Sequence, residues 1–135
     1  MYIRQTVTND FDLFAPAHHD LLEAKALGID PKFPDASECV TLDHGGFPLA
    51  IGGNCGDQVW FITSDQVWRL SSKLKVQFYM AICEYRDKML KEYPVLWNYV
   101  WIGNGPHIRF LKSIGAEFQD DFVHNGQFQL FLIRR

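Results

Sequence analysis

A mixed α/β sheet flanked by helices is the fold class this sequence predicts, and three observations carry it. Apolar runs of strand length recur between Gly-, Asn- and Pro-rich turns. One long stretch, Leu70 to Tyr93, repeats its apolar residues at helical spacing, and strand-like and helix-like segments interleave along the chain. With 135 residues, 47% of them hydrophobic and 15% aromatic, the chain is long and apolar enough for one domain with a real core, residues 1–135.

Tyr2 to Thr8 alternates weakly and reads as an opening strand. Asn9-Asp10 caps a helix bearing Phe11, Phe14, His18, Leu21, Leu22 and Ala26 and ended by Gly28, with Pro16 placing a break or late start within it. Residues 29–37, with Asp30, Pro31, Pro34 and Asp35, read as a loop. Glu38 to Leu42 is a strand, Asp43-His44-Gly45-Gly46 a hairpin turn, and Phe47 to Ile51 the returning strand. Gly52 to Asp57 reads as a second Gly-rich turn before the apolar strand Val59 to Thr63. Leu74, Phe78, Ile82, Tyr85 and Met89 form the apolar stripe of the long helix, which Pro94 stops. Two last strands, Ala116 to Val123 and Phe128 to Ile133, flank the hairpin signal Asn125-Gly126.

The formal charge is −3 with acids and bases interspersed, so the chain lacks the basic footprint of a nucleic-acid binder. No apolar run approaches the ~18 residues that span a bilayer. Met1-Tyr2-Ile3-Arg4-Gln5 lacks a signal-peptide pattern, and a cytoplasmic site of action is expected. Cys39, Cys55 and Cys83 are odd in number and form no Cys-x-x-Cys, which predicts buried free thiols in a reducing compartment. His18-His19-Asp20 is a weak metal motif, because adjacent helix residues point about a hundred degrees apart. A Cys-His-Asp hydrolase would need one of the cysteines beside His44 or His124, and no local signature supports it. Trp97, Tyr99 and Trp101 should share one strand face, with Asn98 and Val100 on the other.

Residues 96–118 are the most informative stretch. A strand-type run ends at Gly103-Asn104, then a short helix carries Ile108, Leu111 and Ile114 on one face and stops at Gly115. Asn104 sits where a side-chain oxygen caps the first turn. This order of strand, Asn, short helix and Gly-x-x-aromatic resembles the C-terminal half of the GNAT acyl-CoA N-acyltransferase superfamily, and the element order matches that fold along nearly the whole chain. The resemblance implies that Asn104 contacts the pantetheine region of acetyl-CoA and that the short helix packs beside it. It also implies a pyrophosphate cradle at Arg69-Leu70-Ser71-Ser72-Lys73-Leu74, where Arg69, Ser71, Ser72 and Lys73 are the candidate cofactor-binding residues.

The chemistry is less well matched than the fold. Leu74 stands where the superfamily pattern has Gly or Ala, and Leu111 stands seven residues after Asn104, where a Tyr acid is usual. Leucine cannot transfer a proton, which leaves Tyr99 and His107 as substitute candidates. The strand Gln58 to Thr63 offers no charged base, and Asp57 and Asp65 beside it suit turns. An open cleft between residues 59–63 and 96–102, with free amides at Ser72 and Lys73, would support acetyl-CoA-dependent acetylation of a virion or host protein. A cleft filled by Trp68, Leu74 or Leu111 would exclude it.

Longer phrases carry a closer resemblance. They include Phe14-Ala15-Pro16-Ala17-His18-His19-Asp20, Pro34 to Leu42, Pro48 to Asp57, Thr63 to Leu70 and Gly126 to Phe131. Together they resemble the gene-thirteen family of T-seven-like short-tailed bacteriophages, end to end. The resemblance implies an internal virion or virion-assembly protein, made in the host cytoplasm and acting in morphogenesis of the particle and its internal proteins. Its partners would be other virion proteins, with neither nucleic acid nor membrane among them, and it supplies no catalytic residues.

Overall fold

The computed structural model describes residues 1–28 and 32–135, so 29–31 of the expected loop lie outside the described residues. In chain order come β1 (Tyr2–Gln5), α1 (Thr8–Leu13), α2 (His18–Ala26), β2 (Val40–His44), β3 (Phe47–Cys55) and β4 (Gln58–Thr63). Then follow α3 (Ser72–Glu92), β5 (Val95–Trp101), α4 (Gly105–Ser113), β6 (Glu117–Val123) and β7 (Phe128–Arg134). Short 3-10 turns lie at Ala36–Glu38 and Val67–Arg69. The strands form one seven-stranded sheet of order β1-β2-β3-β4-β5-β7-β6. All neighbours are antiparallel except β4 and β5, which are parallel and joined through α3. This is the mixed α/β architecture that the sequence predicts. Among the described residues, no helix is long and apolar enough to cross a membrane.

Side-chain alternation divides the core between the two faces of the sheet. On one face, Phe78, Met89 and Leu90 of α3 and Leu111 of α4 pack with Leu42, Ala50, Leu96, Val100, Phe131 and Ile133. On the other, Phe11, Phe14 and Phe33 pack with Cys39, Ile51, Trp60 and Ile62. The expected helix from Asn9 to Ala26 is two helices, broken where Pro16 predicts. The chain between them is extended, with Pro16 bridging Ser64 and the Ala17 amide donating to Thr63 O at 2.8 Å. It therefore lies against the end of β4.

Two expectations need correction. Gly52 to Cys55 continue β3 and pair with β4, and only Gly56-Asp57 turn. Contact rather than turning demands the glycines. A Cβ on Gly52 would sit 2.6 Å from Trp60 O, and one on Gly53 2.8 Å from Glu38 O. The cysteines are free, but only Cys39 is buried; Cys83 is half-buried and Cys55, at the outer end of β3, is exposed.

The start of the sheet is held by ions. Arg4 donates to both carboxylate oxygens of Asp10 at 2.7 and 2.8 Å and through Nε to Asp43 at 2.9 Å. Asp10 also accepts from the Val7 amide, which caps α1, and from the Thr41 hydroxyl. The Arg4 hydrogen bonds, helped by those of Val7 and Thr41, outweigh burial and hold the Asp10 carboxyl below its usual range. The Asp10 and Asp43 side chains are 3% and 5% exposed, whereas Arg4 is 24% exposed. Asp10→Asn should therefore cost roughly 2–3 kcal/mol, somewhat less than a fully buried broken pair. Because the native pKa is depressed, this stabilisation is present above the ordinary carboxylate range and is lost as pH falls through the lowered value. Urea unfolding at neutral pH should show the deficit, and it should shrink in acid.

Candidate functional site

The parallel pair β4 and β5 stays in register at one position, Gln58 with Trp97. Beyond it the two strands part, and their facing backbone groups need other partners. Asn98 supplies one near the fork. Its Nδ2 donates to Val59 O at 2.8 Å, while its Oδ1 accepts from Gln58 Nε2 at 3.2 Å and from the Tyr99 amide at 2.7 Å. At the far ends, one turn of α2 supplies two more. The Thr63 amide donates to Asp20 Oδ2 and the Trp101 amide to Glu23 Oε1, each at 2.9 Å.

Asn104 joins this clamp while capping α4. Its Nδ2 donates to Asp20 Oδ1 at 3.0 Å and Glu23 Oε1 at 3.4 Å, and its Oδ1 accepts from the His107 amide at 3.4 Å. Asn104 is 1% exposed. Both its oxygen and its nitrogen are thus engaged inside the protein.

Aromatic rings pack beside the parting strands. The Phe61 ring lies 4.7 Å from that of His107 and 5.8 Å from that of Phe110. Phe110 in turn meets Phe78 at 5.7 Å and Tyr79 at 6.3 Å, all measured between ring centres. The Tyr79 hydroxyl donates to Ser113 O at 2.9 Å and Arg86 to Ile114 O at 2.8 Å, tying α3 to the end of α4. Two spaces remain. A cavity of about 120 Å³ touches Phe61, Leu96, Asn98 and Leu111. A pocket of about 250 Å³ lies between Trp68, Lys75, Tyr79, Asn104 and Pro106, just short of the usual range of small-molecule sites.

Burial, reinforced by the Asp20 charge, pushes the Glu23 carboxyl up to about 7 against the opposing bonds from Trp101 and Asn104. Burial pushes the His107 imidazole down, with Asp20 pulling the other way. A protonatable carboxyl and a neutral imidazole thus flank the clamp.

The structure distributes the sequence-predicted residues unevenly. Arg69, Ser71, Ser72 and Lys73 gather, exposed, at the start of α3, where Ser71 Oγ accepts from the Leu74 amide at 3.3 Å. Helix geometry leaves the Ser72 and Lys73 amides without intrahelical acceptors. None of these four lines the 250 Å³ pocket, which Asn104 and His107 do line. Tyr99 pairs across the ladder with Leu130 and stacks edge-on to Trp97 at 6.2 Å, yet it lines the 120 Å³ cavity together with Asn98 and His107. Leu111 is buried, Leu74 half-buried and Trp68 exposed, so the filling rings are instead Phe61, Phe78 and Phe110.

Sequence reasoning did not reach Glu23, read Asp20 only as part of a weak metal motif and placed Asn98 only by strand face. The spacing of Asp20 and Glu23 places them on one helical face, the only local signal available. His18 and His19 contact each other edge-on, Asp20 turns to β4, and among the described residues no group of three or more potential ligands could hold a metal.

A seven-stranded mixed sheet whose central parallel strands part beside a short Asn-capped helix is the acyltransferase architecture of the GNAT class. Solved structures of that class match the chain. An acetyltransferase from Agrobacterium tumefaciens str. C58 has a TM-score of 0.66 and 12% identity, over 98% of this chain and 90% of that one. The ribosomal-protein-alanine N-acetyltransferase of Brucella melitensis has a TM-score of 0.65 and 9% identity, with both chains covered completely. A GNAT-family acetyltransferase from Bacillus anthracis has a TM-score of 0.64 and 13% identity, over 98% of this chain and 93% of that one. At such identities they share the fold alone.

The chain belongs to the family described as the bacteriophage T7 probable scaffold protein Gp13, which matches residues 38–123. It is 67% identical over all 135 residues to the probable scaffold protein gp13 of Escherichia phage T7, covering 98% of that protein.

The raised Glu23 pKa predicts a pH-dependent stability. The native state holds the proton to about pH 7, whereas an unfolded Glu releases it near its ordinary value of 4.5, so stability falls as pH rises between those values. Glu23→Gln keeps an oxygen for the Trp101 and Asn104 donors and removes the charge. It should flatten this slope and raise stability at pH 8 by roughly 2 kcal/mol, read as unfolding midpoints from pH 5 to 8.

Proposed function

We propose that this chain is a phage assembly protein working through protein-protein contacts, on an acyltransferase fold whose cofactor cleft is closed. The observation that carries the proposal is the occupied parting of β4 and β5. Asn98 bonds Val59 O, Asp20 and Glu23 bond the strand ends, and Phe61 and Phe110 fill the space beneath. Asn104, the residue through which the superfamily contacts pantetheine, has its polar atoms engaged by Asp20, Glu23 and the His107 amide. Leu111 in the usual acid position is 2% exposed within the core.

The assembly role draws on the 67% identical T7 relative, named a probable scaffold protein. On this reading the 135 residues act as one folded unit in the host cytoplasm, alongside internal virion proteins. Arg69, Ser71, Ser72 and Lys73 are then a surface helix start rather than a phosphate cradle.

Calorimetry with acetyl-CoA tests the closed cleft. The expected result is no saturable heat up to near-millimolar cofactor, and none for Leu74→Ala. Micromolar binding that disappears in Asn104→Ala would overturn the proposal and support the alternative, an acetyltransferase acting on a virion or host protein. Capture of internal virion proteins by the tagged chain from infected cells tests the assembly role.

A further inference from the structure

The two outer strands of the sheet differ in how they meet solvent. β6 is guarded: its register with β7 shifts between Phe118 and Phe122, and Glu117, Asp120 and Asp121 give it a single sign of charge. β1 pairs with β2 without interruption through Tyr2, Ile3, Arg4 and Gln5. Its one charge, Arg4, folds back onto Asp10 and Asp43. A groove of about 980 Å³ runs between β1 and α3, and Tyr2 and Met80 on its walls are 58% and 62% exposed.

We propose that two copies of this chain associate through this edge, β1 against β1, with the α3 helices antiparallel beside the new seam. The ladder alternation sets the register. The Thr6 amide bonds Cys39 O, so Tyr2 and Arg4 also turn their backbone groups to β2 and Ile3 and Gln5 turn theirs outward, where the Gln5 carbonyl already accepts from Arg4 Nη1 at 3.1 Å and Ile3 is left for the seam. A two-fold axis normal to the sheet keeps like faces together, so Ile3 stands opposite Ile3 of the second copy. Tyr2 then faces Arg4 of the second copy, whereas the alternative register would oppose two Arg4 side chains.

Charge favours a second copy as the occupant. Along the groove wall of α3 the exposed charged residues run Glu84, Asp87, Lys88, Lys91, acids first and bases after, with Asp87 also paired to its neighbour Arg86. An antiparallel copy of the same helix brings its bases towards those acids and its acids towards those bases. The pattern is self-complementary, as an interface between identical copies requires.

Sedimentation velocity on the full chain, from about one to several hundred micromolar, tests the proposal. The expected result is a reversible monomer-dimer equilibrium. Lys88→Glu with Lys91→Glu, both exposed and remote from the core, should weaken it at least about tenfold. Mixing that variant with Glu84→Lys should restore a heterodimer. Amide exchange at Ile3 should slow as concentration rises. A monomer throughout would overturn the proposal, and so would a dimer indifferent to the charge changes that leaves the Ile3 amide unprotected.

Discussion

The parting of β4 from β5 is the constraint on which the rest of the molecule depends. Two parallel strands that stay in register only at Gln58 and Trp97 leave backbone donors and acceptors facing a gap. Buried backbone groups without partners cost on the order of 1–3 kcal/mol each. The sequence answers with side chains from two elements, Asn98 from β5 itself and Asp20 and Glu23 from α2, and Asn104 at the start of α4 holds the two carboxylates in place. The answer explains why α2 lies where it does. Its position follows from two amides it must reach, Thr63 and Trp101, rather than from an apolar face: its apolar residues stay partly or fully exposed while Asp20 and Glu23 point into the clamp.

The same constraint places α4. Asn104 caps the helix and binds both carboxylates, so the first turn is fixed to the end of the clamp, while Leu111 and Ile114 fix its apolar face against the core. Phe110 then projects between α3 and α4 and meets Phe61, Phe78 and Tyr79. Phe78, Tyr79 and Phe110 wall the pocket that Asp20 and Asn104 also line, while burial raises the Glu23 pKa.

Much of the fold was legible because its signals are local. Apolar stripes, Gly and Asn turns, the Pro16 break and the Asn104 cap all act within a few residues of themselves. Gly52 and Gly53 were misread because their requirement comes from Trp60 and Glu38, residues that only the sheet brings near. The candidate site was less legible for the same reason. Asn98 to Val59, Asp20 to Thr63 and Glu23 to Trp101 join residues 39, 43 and 78 positions apart. No periodicity encodes such pairs. Leu111 could be questioned from the sequence, since its place relative to Asn104 is local, but the ring that closes the gap is its neighbour Phe110.

Glu23 shows why a clamp of this kind suits a fixed scaffold better than a working cleft. A carboxyl desolvated beside Asp20 is held at a cost, and the cost rises with pH as the proton leaves. In a site that opens, water would enter and the cost would fall away. Here the Trp101 amide and the Asn104 side chain both spend donors on Glu23, and Asn104 simultaneously holds Asp20 and the first turn of α4. Moving any one element would strand a buried polar group on another. Interlocked bonds of this kind accord with the proposed rigid platform, and opening the clamp to a long cofactor would first break several of them.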